Sequence, residues 1–354
     1  MELGFNSDPA FTKWVVGKGL LHEKFVLVDI GVFGGENPGW DVLGDHLLVH
    51  GFDAGKEAID ALSRRKGGDR AQYHWCAIGN EDGERDFFVN PDDPTQSSFS
   101  RPGTNCSADG KGRYETRRVP VRSLDSLLTA GEIPAPDFLK VDVEGSEKQV
   151  LHGAARCLSE RLLGIGTETN FNASPDYPNT HIGLVQECIV PHGFQMFDLN
   201  FHRAPRASFE NAQQARGLRR LAYHQTSRPS SFNVLFCRDL AAEAAGLQFP
   251  VATRSPRNAD EIIKAMVILE LYRLTDVAFD TARRLAGDLG TRLDVDKACS
   301  LLVESGRSVA STAESFEEAL ASEADLRRKI YEMRSSPSWR LTAPLRWLKR
   351  RLVR

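Results

Sequence analysis

The sequence lacks several features that would point directly to one class of protein. Its 354 residues include six cysteines but no CxxC pair, so reduced thiols are expected rather than a zinc site or a compact disulfide framework. No segment reaches the roughly 18 uninterrupted apolar residues that a membrane-spanning helix needs, and the N-terminus lacks a secretory signal pattern. We therefore expect a cytoplasmic protein.

The chain also has little net charge, only −3, although 26% of its residues are charged. The last twenty residues contain six Arg or Lys and no acid, so the rest of the chain is acidic. Nucleic acid is therefore not an expected partner. A hydrophobic content of 41% is typical of a globular protein, and the length exceeds that of one ordinary domain.

Short apolar runs alternate with helix-compatible segments up to about residue 240. The segments 55–65, 144–159 and 180–192 are predicted helices. This order is typical of an α/β fold, in which helices cover both faces of a doubly wound, mostly parallel sheet. The apolar runs predict strands at Phe25–Ile30, Leu47–Asp53, Tyr73–Ile78, Arg85–Val89, Arg118–Arg122, Phe138–Val143, Leu162–Glu168, Phe194–Leu199 and Phe232–Cys237.

The pattern changes near residue 254, where long, proline-free segments with one charged side begin. Ala259–Leu289, Val295–Glu304 and Val309–Met333 are predicted helices. The apolar stripe along 309–333 must be buried, either on the body of the protein or against a second chain in a homo-oligomer. The predicted organisation is a lead-in (1–24), a sheet domain (25–240), a C-terminal α-helical extension (255–334) and a basic amphipathic tail (335–354).

A glycine-rich turn follows the first predicted strand, in FVLVDIGVFGGEN. Asp29 lies near the strand end, and Gly31, Gly34 and Gly35 would let a ligand approach the backbone. Their spacing is not the GxGxxG of dinucleotide-binding folds, which argues against an oxidoreductase. An acid before such a turn suits the cationic amino-acid end of S-adenosylmethionine. A plain tight turn is the alternative.

Two further strand ends extend the predicted cofactor site. Asp53 ends the second strand, where a carboxylate can accept both hydroxyls of a ribose, or alternatively cap the following helix. Ala77 and Ile78 end the third predicted strand and are candidates to line an adenine pocket, although core packing explains them equally well. Two acids that flank a glycine turn at successive strand ends favour the cofactor interpretation.

The stretch DFLKVDVEGSEKQVLHGA, residues 137–154, closely resembles the signature of FkbM-type methyltransferases, and the preceding VPVRSLDSLL resembles the segment that leads into it. The resemblance covers roughly residues 25–240. It implies a Rossmann-like class I fold, S-adenosylmethionine as cofactor, and O-methylation, most often of a sugar hydroxyl. By position it implies Asp29 and Gly31 at the methionine end, Asp53 at the ribose, Ala77 and Ile78 beside the adenine, and Asp142 and Glu144 at the reaction site. The loop GVFGGENPGW departs from relatives that carry an Asn there.

Methyl transfer to a hydroxyl needs a base for the hydroxyl proton, and carboxylates at a strand end suit that task. Asp142 is the first candidate, and Glu144 is the second, with capping of the next helix as its alternative. Glu147 falls inside that predicted helix and is expected to be solvated or salt-bridged. Glu168, beyond the next strand, is a third catalytic candidate. With Asp142 and Asn170 it forms an oxygen-ligand set for an optional divalent metal such as magnesium.

Two basic segments bear on partners. Residues 200–231 suit a lid over an acidic or phosphate-bearing acceptor, or a solvated loop. The tail SSPSWRLTAPLRWLKRRLVR interleaves Trp and Leu with Arg and Lys, and it resembles tails of bacterial surface-glycan assembly enzymes. It is predicted to dock peripherally on the anionic inner face of a membrane, to contact a partner such as a glycosyltransferase, or to remain solvated.

The function predicted from the sequence is that of an S-adenosylmethionine-dependent O-methyltransferase, acting on a sugar hydroxyl in the biosynthesis of a bacterial surface polysaccharide or glycolipid. The acceptor is thus expected to be a glycan or another sugar-containing molecule. An O-methyltransferase of a small natural product and a cofactor-binding scaffold of a glycan-assembly complex are the alternatives.

Overall fold

The computed structural model of the protein describes residues 3–91, 93–99, 114–172, 180–203, 229–246 and 258–308. Its strands are β1 (Phe25–Ile30), β2 (Leu47–Asp53), β3 (Ala71–Trp75), β4 (Ala77–Ile78), β5 (Gly83–Val89), β6 (Glu115–Arg122), β7 (Phe138–Val141), β8 (Gly164–Asn170), β9 (Phe194–Arg203) and β10 (Pro229–Arg238).

The described helices occur between these strands and after the last of them. They are α1 (Ala10–Gly17), α2 (Lys56–Lys66), α3 (Leu124–Thr129), α4 (Glu147–His152), α5 (Ala155–Ser159), α6 (Ile182–Ile189), α7 (Leu240–Ala244), α8 (Ala259–Leu271), α9 (Thr275–Arg284), α10 (Ala286–Leu289) and α11 (295–308). The 3-10 helices are Pro38–His46, Pro94–Gln96 and Val190–His192.

A seven-stranded sheet has the order β3-β2-β1-β7-β8-β10-β9, and a smaller sheet has the order β4-β6-β5. In the large sheet β3, β2, β1, β7 and β8 are parallel, whereas β10 is antiparallel to both β8 and β9. β1 is buried at every position, which explains its continuous apolar sequence. The predicted α/β fold with a mostly parallel sheet is confirmed, and the carboxyl ends of its parallel strands share one edge.

One predicted strand, Tyr73–Ile78, is wrong because the chain changes sheets within it. β3 pairs with β2 in the large sheet, whereas Ala77 pairs with Val121 in the small one. Cys76 lies between them, and its N–H donates to the carbonyls of Asp53 and His74 at 3.1 and 2.9 Å. An apolar run shows that residues are buried but not which strand they pair with.

Two predicted helices are also interrupted. The segment 144–159 contains α4 and α5, with a break at Gly153, where a Cβ atom would lie 2.0 Å from the carbonyl oxygen of Gly79. The segment 259–289 contains α8, α9 and α10, with Arg273 in the left-handed region at φ +66°. The Arg273 guanidinium donates to the carbonyl of Phe5 at 2.9 and 3.1 Å, so this turn is fixed to the N-terminal segment.

The described helices that follow residue 258 pack on the large sheet. α8 is buried along almost its entire length, and its apolar side chains share a core with β1, β2 and β7 and with α1. Lys264 of this helix is buried and donates to the carboxylate of Asp137, which immediately precedes β7. A charged contact at the centre of the interface thus fixes the helix to the strand that carries the predicted reaction site.

Several predictions fall on residues outside the described ranges. Val309–Met333, the tail 335–354 and the centre of the basic segment, 204–228, are among them. The two ends of that segment belong to β9 and β10, so it connects an antiparallel pair. The described cysteines are free thiols: Cys76, Cys157, Cys188, Cys237 and Cys299. Among the described helices, none combines the length and apolar character that crossing a bilayer demands.

Candidate active site

The candidate site lies at the edge of the large sheet where β1, β2, β7 and β8 end. Asp29 of β1 is paired with Lys140 of β7, and Lys140 is paired with Gly166 of β8. Because paired residues on neighbouring strands point to the same face, the Asp29 and Lys140 side chains meet above the sheet. Gly166, which has no side chain, lines a cleft beside them together with Tyr272.

Lys140 is a site residue that the sequence prediction did not include. Its Nζ lies 3.3 Å from Asp29 Oδ1 and 3.5 Å from Asp142 Oδ2, and it donates to the carbonyl of Gly31 at 3.3 Å. Burial by itself would lower the pKa of Lys140, but the two carboxylates hold it above its ordinary value. The sequence could have indicated this residue, because a lysine inside the apolar strand FLKV would be buried and a buried charge requires a partner.

The glycine turn after β1 is shaped by neighbouring backbone as well as by space for a ligand. Gly31 has φ +84°, and a Cβ atom there would lie only 1.8 Å from the carbonyl oxygen of Asp142. Gly35 also has a positive φ, +94°, whereas the space beside Gly34 is open. Asp29 is buried, and this burial raises the pKa of its carboxyl despite the opposing effect of Lys140.

Asp53 lies at the end of β2, where the sequence predicted a ribose partner. Its Oδ1 accepts from the backbone N–H of Gly55 at 2.7 Å, and burial raises the pKa of Asp53 to about 6. α2 begins at Lys56 with Gly55 as its N-cap, so Asp53 closes the turn before the helix rather than capping it. Ala77 and Ile78 are buried in two different hydrophobic clusters of the described residues.

Three carboxylates converge where β7 and β8 end. Asp142 directly follows β7, Glu144 lies in the next turn and Glu168 belongs to β8. Each offers an oxygen atom, and these oxygens all lie within 4.8 Å of one another. The backbone N–H of Asp142 donates to the carbonyl of Ile30 at 3.0 Å, which fixes this residue against β1. The structure thus brings the three catalytic candidates together.

Glu144 has an unusual backbone conformation. Its φ is +52°, in the left-handed region that residues other than glycine rarely adopt, and such strain is concentrated at functional sites. α4 begins at Glu147 with Ser146 as N-cap, so Glu144 precedes the helix cap. Burial, reinforced by the nearby Glu168 and Asp142 carboxylates, raises the pKa of Glu144 to about 8.

The prediction that Glu147 is solvated or salt-bridged is wrong. Its side chain is buried, and its Oε1 accepts from the backbone N–H groups of Val143 and Gly145, each at 3.3 Å. These two residues flank Glu144, so Glu147 supports the turn that carries the second acid. Burial raises the pKa of Glu147 to about 8, against the effect of the backbone hydrogen bonds.

The raised pKa of Glu147 predicts a pH-dependent stability. The folded state retains its proton up to about pH 8, whereas the unfolded chain releases it near the ordinary value of 4.5, so this residue lowers the free energy of unfolding as pH rises between those values. Glu147→Gln, measured by urea unfolding with a chelator present, should gain about 2–4 kcal/mol relative to wild type between pH 5 and pH 8. The exposed Glu81→Gln control should show no such gain, and a constant difference for Glu147→Gln would contradict the assignment.

Two neighbouring clefts meet at Asp142 and Glu168. The first is bordered by Asp29 and Lys140 on the sheet side, and the other residues lining it include Phe5, Gly35, Asn37, Trp40, Gly166 and Tyr272. The second is lined by Asp142, Glu144, Gly145, Glu147, Glu168, Thr169, Asn170, Thr180 and Ser231. Asp142 and Glu168 therefore border both clefts.

The donor set of the first cleft fits S-adenosylmethionine. The amino-acid end of that molecule is zwitterionic, and Asp29 and Lys140 offer it one anionic and one cationic partner. Asp53, a carboxylate of the kind that accepts ribose hydroxyls, ends the adjacent β2 outside the lining of this cleft. Of the residues predicted to bind the cofactor, the described lining of the cleft includes Asp29 and Gly35 but not Gly31, Gly34, Asp53, Ala77 or Ile78. The sequence predicted that Asp29 contacts the ammonium group of the cofactor. Because Lys140 also contacts Asp29, the lysine and the cofactor ammonium would share the Asp29 carboxylate.

A family comparison matches residues 44–188 to the methyltransferase FkbM domain. No curated protein matches the chain. Among solved structures, similarity is found to methyltransferase FkbM from Methylobacillus flagellatus KT, with 17% sequence identity and a TM-score of 0.34, over 63% of this chain and 47% of that one. The chain thus spans about half the length of that structure.

A second solved structure with similarity is precorrin-6y C5,15-methyltransferase from Geobacter metallireducens GS-15. It has 9% sequence identity and a TM-score of 0.31, over 64% of this chain and 86% of that one. The family match contains Asp53, Lys140, Asp142, Glu144 and Glu168. Residues 44–188 thus resemble a methyltransferase FkbM domain.

Proposed function

We propose that the protein transfers a methyl group from S-adenosylmethionine to a hydroxyl oxygen of a sugar-containing acceptor. The observation that carries the proposal is the position of Asp142, on the border between a cleft that contains the Asp29–Lys140 ion pair and a cleft rich in acidic side chains. Cofactor in the first cleft and acceptor in the second would bring the reacting atoms together beside this residue. Such positioning supplies much of the rate of a methyl transfer.

In this proposal Asp142 and Lys140 have distinct tasks. S-adenosylmethionine, when bound, supplies a methyl group activated by a sulfonium sulfur. Asp142 accepts the proton of the acceptor hydroxyl as the new O–C bond forms, while the electron pair of the broken C–S bond remains on sulfur. Lys140 contacts both Asp29 and Asp142, and so orients the two carboxylates toward their clefts.

Calorimetry distinguishes this proposal from an oxidoreductase. S-adenosylhomocysteine should bind the full chain at a stoichiometry of about one, in the micromolar range of ordinary cofactor affinities, whereas NAD should show no saturable binding. Lys140→Met should weaken S-adenosylhomocysteine binding by about tenfold or more, because Asp29 loses its partner and the cofactor carboxylate loses a cation. Binding of NAD alone would overturn the proposal.

The proposed acceptor is a sugar hydroxyl of a bacterial surface glycan, and the proposed location of the reaction is the inner face of the membrane, reached through the basic tail 335–354. Mass spectrometry of glycans from host cells with and without the gene should reveal one lost methyl group. A chain ending at residue 334 should restore that methyl group less well and leave the membrane fraction. Unchanged glycans would favour a small natural product as acceptor, or a scaffold without turnover.

A further inference from the structure

We propose that the second cleft binds one hard divalent cation, such as Mg²⁺ or Mn²⁺, through Asp142, Glu144 and Glu168. This ligand set differs from the one predicted from the sequence, because Glu144 takes the place given there to Asn170. The amide nitrogen of Asn170 donates to the hydroxyl of Thr180. The inference rests on the proposed function, since the ion would serve to hold and acidify the acceptor hydroxyl.

The distances and ligand chemistry suit such an ion. The three carboxylate oxygens all lie within 4.8 Å of one another, which is the greatest separation that two ligands of one cation can have when the metal–oxygen bonds are about 2.4 Å long, so one ion lies within reach of all three after small side-chain movements. All three ligands are hard oxygen donors, and no cysteine or histidine lines this cleft among the described residues.

A fourth acid provides an independent indication of a ligand. Glu147 lines the same cleft, its side chain is 2% exposed, and its Oε2 has no hydrogen-bond partner among the described residues. A buried carboxylate oxygen without a partner is costly, and a water molecule held by a nearby cation would donate to it. Through its Oε1, Glu147 also fixes the turn that carries Glu144.

The charges around the second cleft also favour a bound cation. Four acidic side chains line the cleft, and the described residues lining it include no Lys, Arg or His. Lys140 reaches Asp142 at 3.5 Å from the neighbouring cleft, but its ammonium is shared with Asp29 at 3.3 Å. A bound divalent cation would compensate the negative charge of its carboxylate ligands.

Titration of the chelator-treated full chain with Mn²⁺, followed by electron paramagnetic resonance, tests the inference. One Mn²⁺ should bind per chain, and excess Mg²⁺ should displace it. Glu144→Gln and Glu168→Gln should each weaken binding by about 10- to 100-fold, while the exposed Glu81→Gln should leave it unchanged. Circular dichroism establishes that each variant is folded.

The absence of saturable binding below about 1 mM, or unchanged binding in a folded Glu144→Gln variant, would overturn the inference. Calorimetry with S-adenosylhomocysteine, repeated in the presence of a chelator, separates this failure from failure of the proposed function. If S-adenosylhomocysteine binds but Mn²⁺ does not, only the metal site is refuted. If S-adenosylhomocysteine binds under neither condition, the proposed function itself fails.

Discussion

Replacing Lys264 by methionine is expected to lower the free energy of unfolding by about 3–5 kcal/mol. The Lys264 side chain is only 1% exposed, and its Nζ lies 2.9 Å from Asp137 Oδ2 and 2.7 Å from the carbonyl oxygen of Lys24. Asp137 Oδ2 also accepts from the backbone N–H of Val26 at 2.8 Å. The substitution leaves a buried carboxylate without its cation, although burial raises the pKa of Asp137 and so favours its protonation.

Urea unfolding at pH 7, followed by both circular dichroism and tryptophan fluorescence, measures this loss. Lys297→Met removes an exposed lysine from the described helix 295–308 and should change the free energy by less than about 0.5 kcal/mol. The double variant Lys264→Met/Asp137→Leu should recover much of the loss, because no unpaired charge remains. A Lys264→Met loss below about 1 kcal/mol would show that this contact does not fix α8 to the sheet.

Replacing Asp142 by asparagine is expected to lower kcat/KM by about 100- to 10,000-fold, the usual contribution of a positioned general base. The amide keeps the size of the side chain but cannot take a proton from the acceptor. It also removes an anionic metal ligand, which adds to the loss. Methyl incorporation from labelled S-adenosylmethionine, with the acceptor identified by the glycan comparison, measures the effect.

Two controls show whether the loss of turnover in Asp142→Asn is specific to this residue and to the chemical step. Affinity for S-adenosylhomocysteine should stay within about threefold, since Asp29 and Lys140 remain in place. Asp45→Asn, at an exposed acid on the 3-10 helix Pro38–His46, should retain full turnover. If Asp142→Asn also retained full turnover, Asp142 would not be the base. The base would then be Glu144 or Glu168, and Glu144→Gln and Glu168→Gln would distinguish between them.

The sequence was sufficient to predict β1 and β2 because these two strands are almost fully buried and therefore carry a strong apolar signal. β1 and β2 begin and end where the sequence predicts. β4 was joined to β3 in the prediction because only Cys76 separates the two strands and no turn residue marks the change from one sheet to the other. The break at Arg273 depends on a contact with Phe5, far away in sequence, and no local pattern encodes it.

The acidic candidates of the site were predictable for a different reason, namely that parallel strands end at the same edge. Asp142 follows β7, Glu168 lies near the end of the adjacent β8, and the two carboxylates are neighbours in the structure, as that reasoning requires. Burial within the site was not predictable. Glu147 has the sequence position of a helix surface residue, yet its side chain is buried against the preceding turn. Lys140 interrupts the apolar sequence of its strand, and only the structure shows that two carboxylates pair with it.

The contact between Gly31 and Asp142 has a mechanical consequence. Because Gly31 has no Cβ atom, the backbone of the loop after β1 can contact the backbone of the loop after β7. The loop after β7 is also joined to the last residue of β1, because the N–H of Asp142 donates to the carbonyl of Ile30. In the proposed reaction the methyl donor and the methyl acceptor would therefore lie between two loops whose backbones are in contact. The distance that the methyl group crosses would depend on backbone geometry rather than on side-chain rotamers.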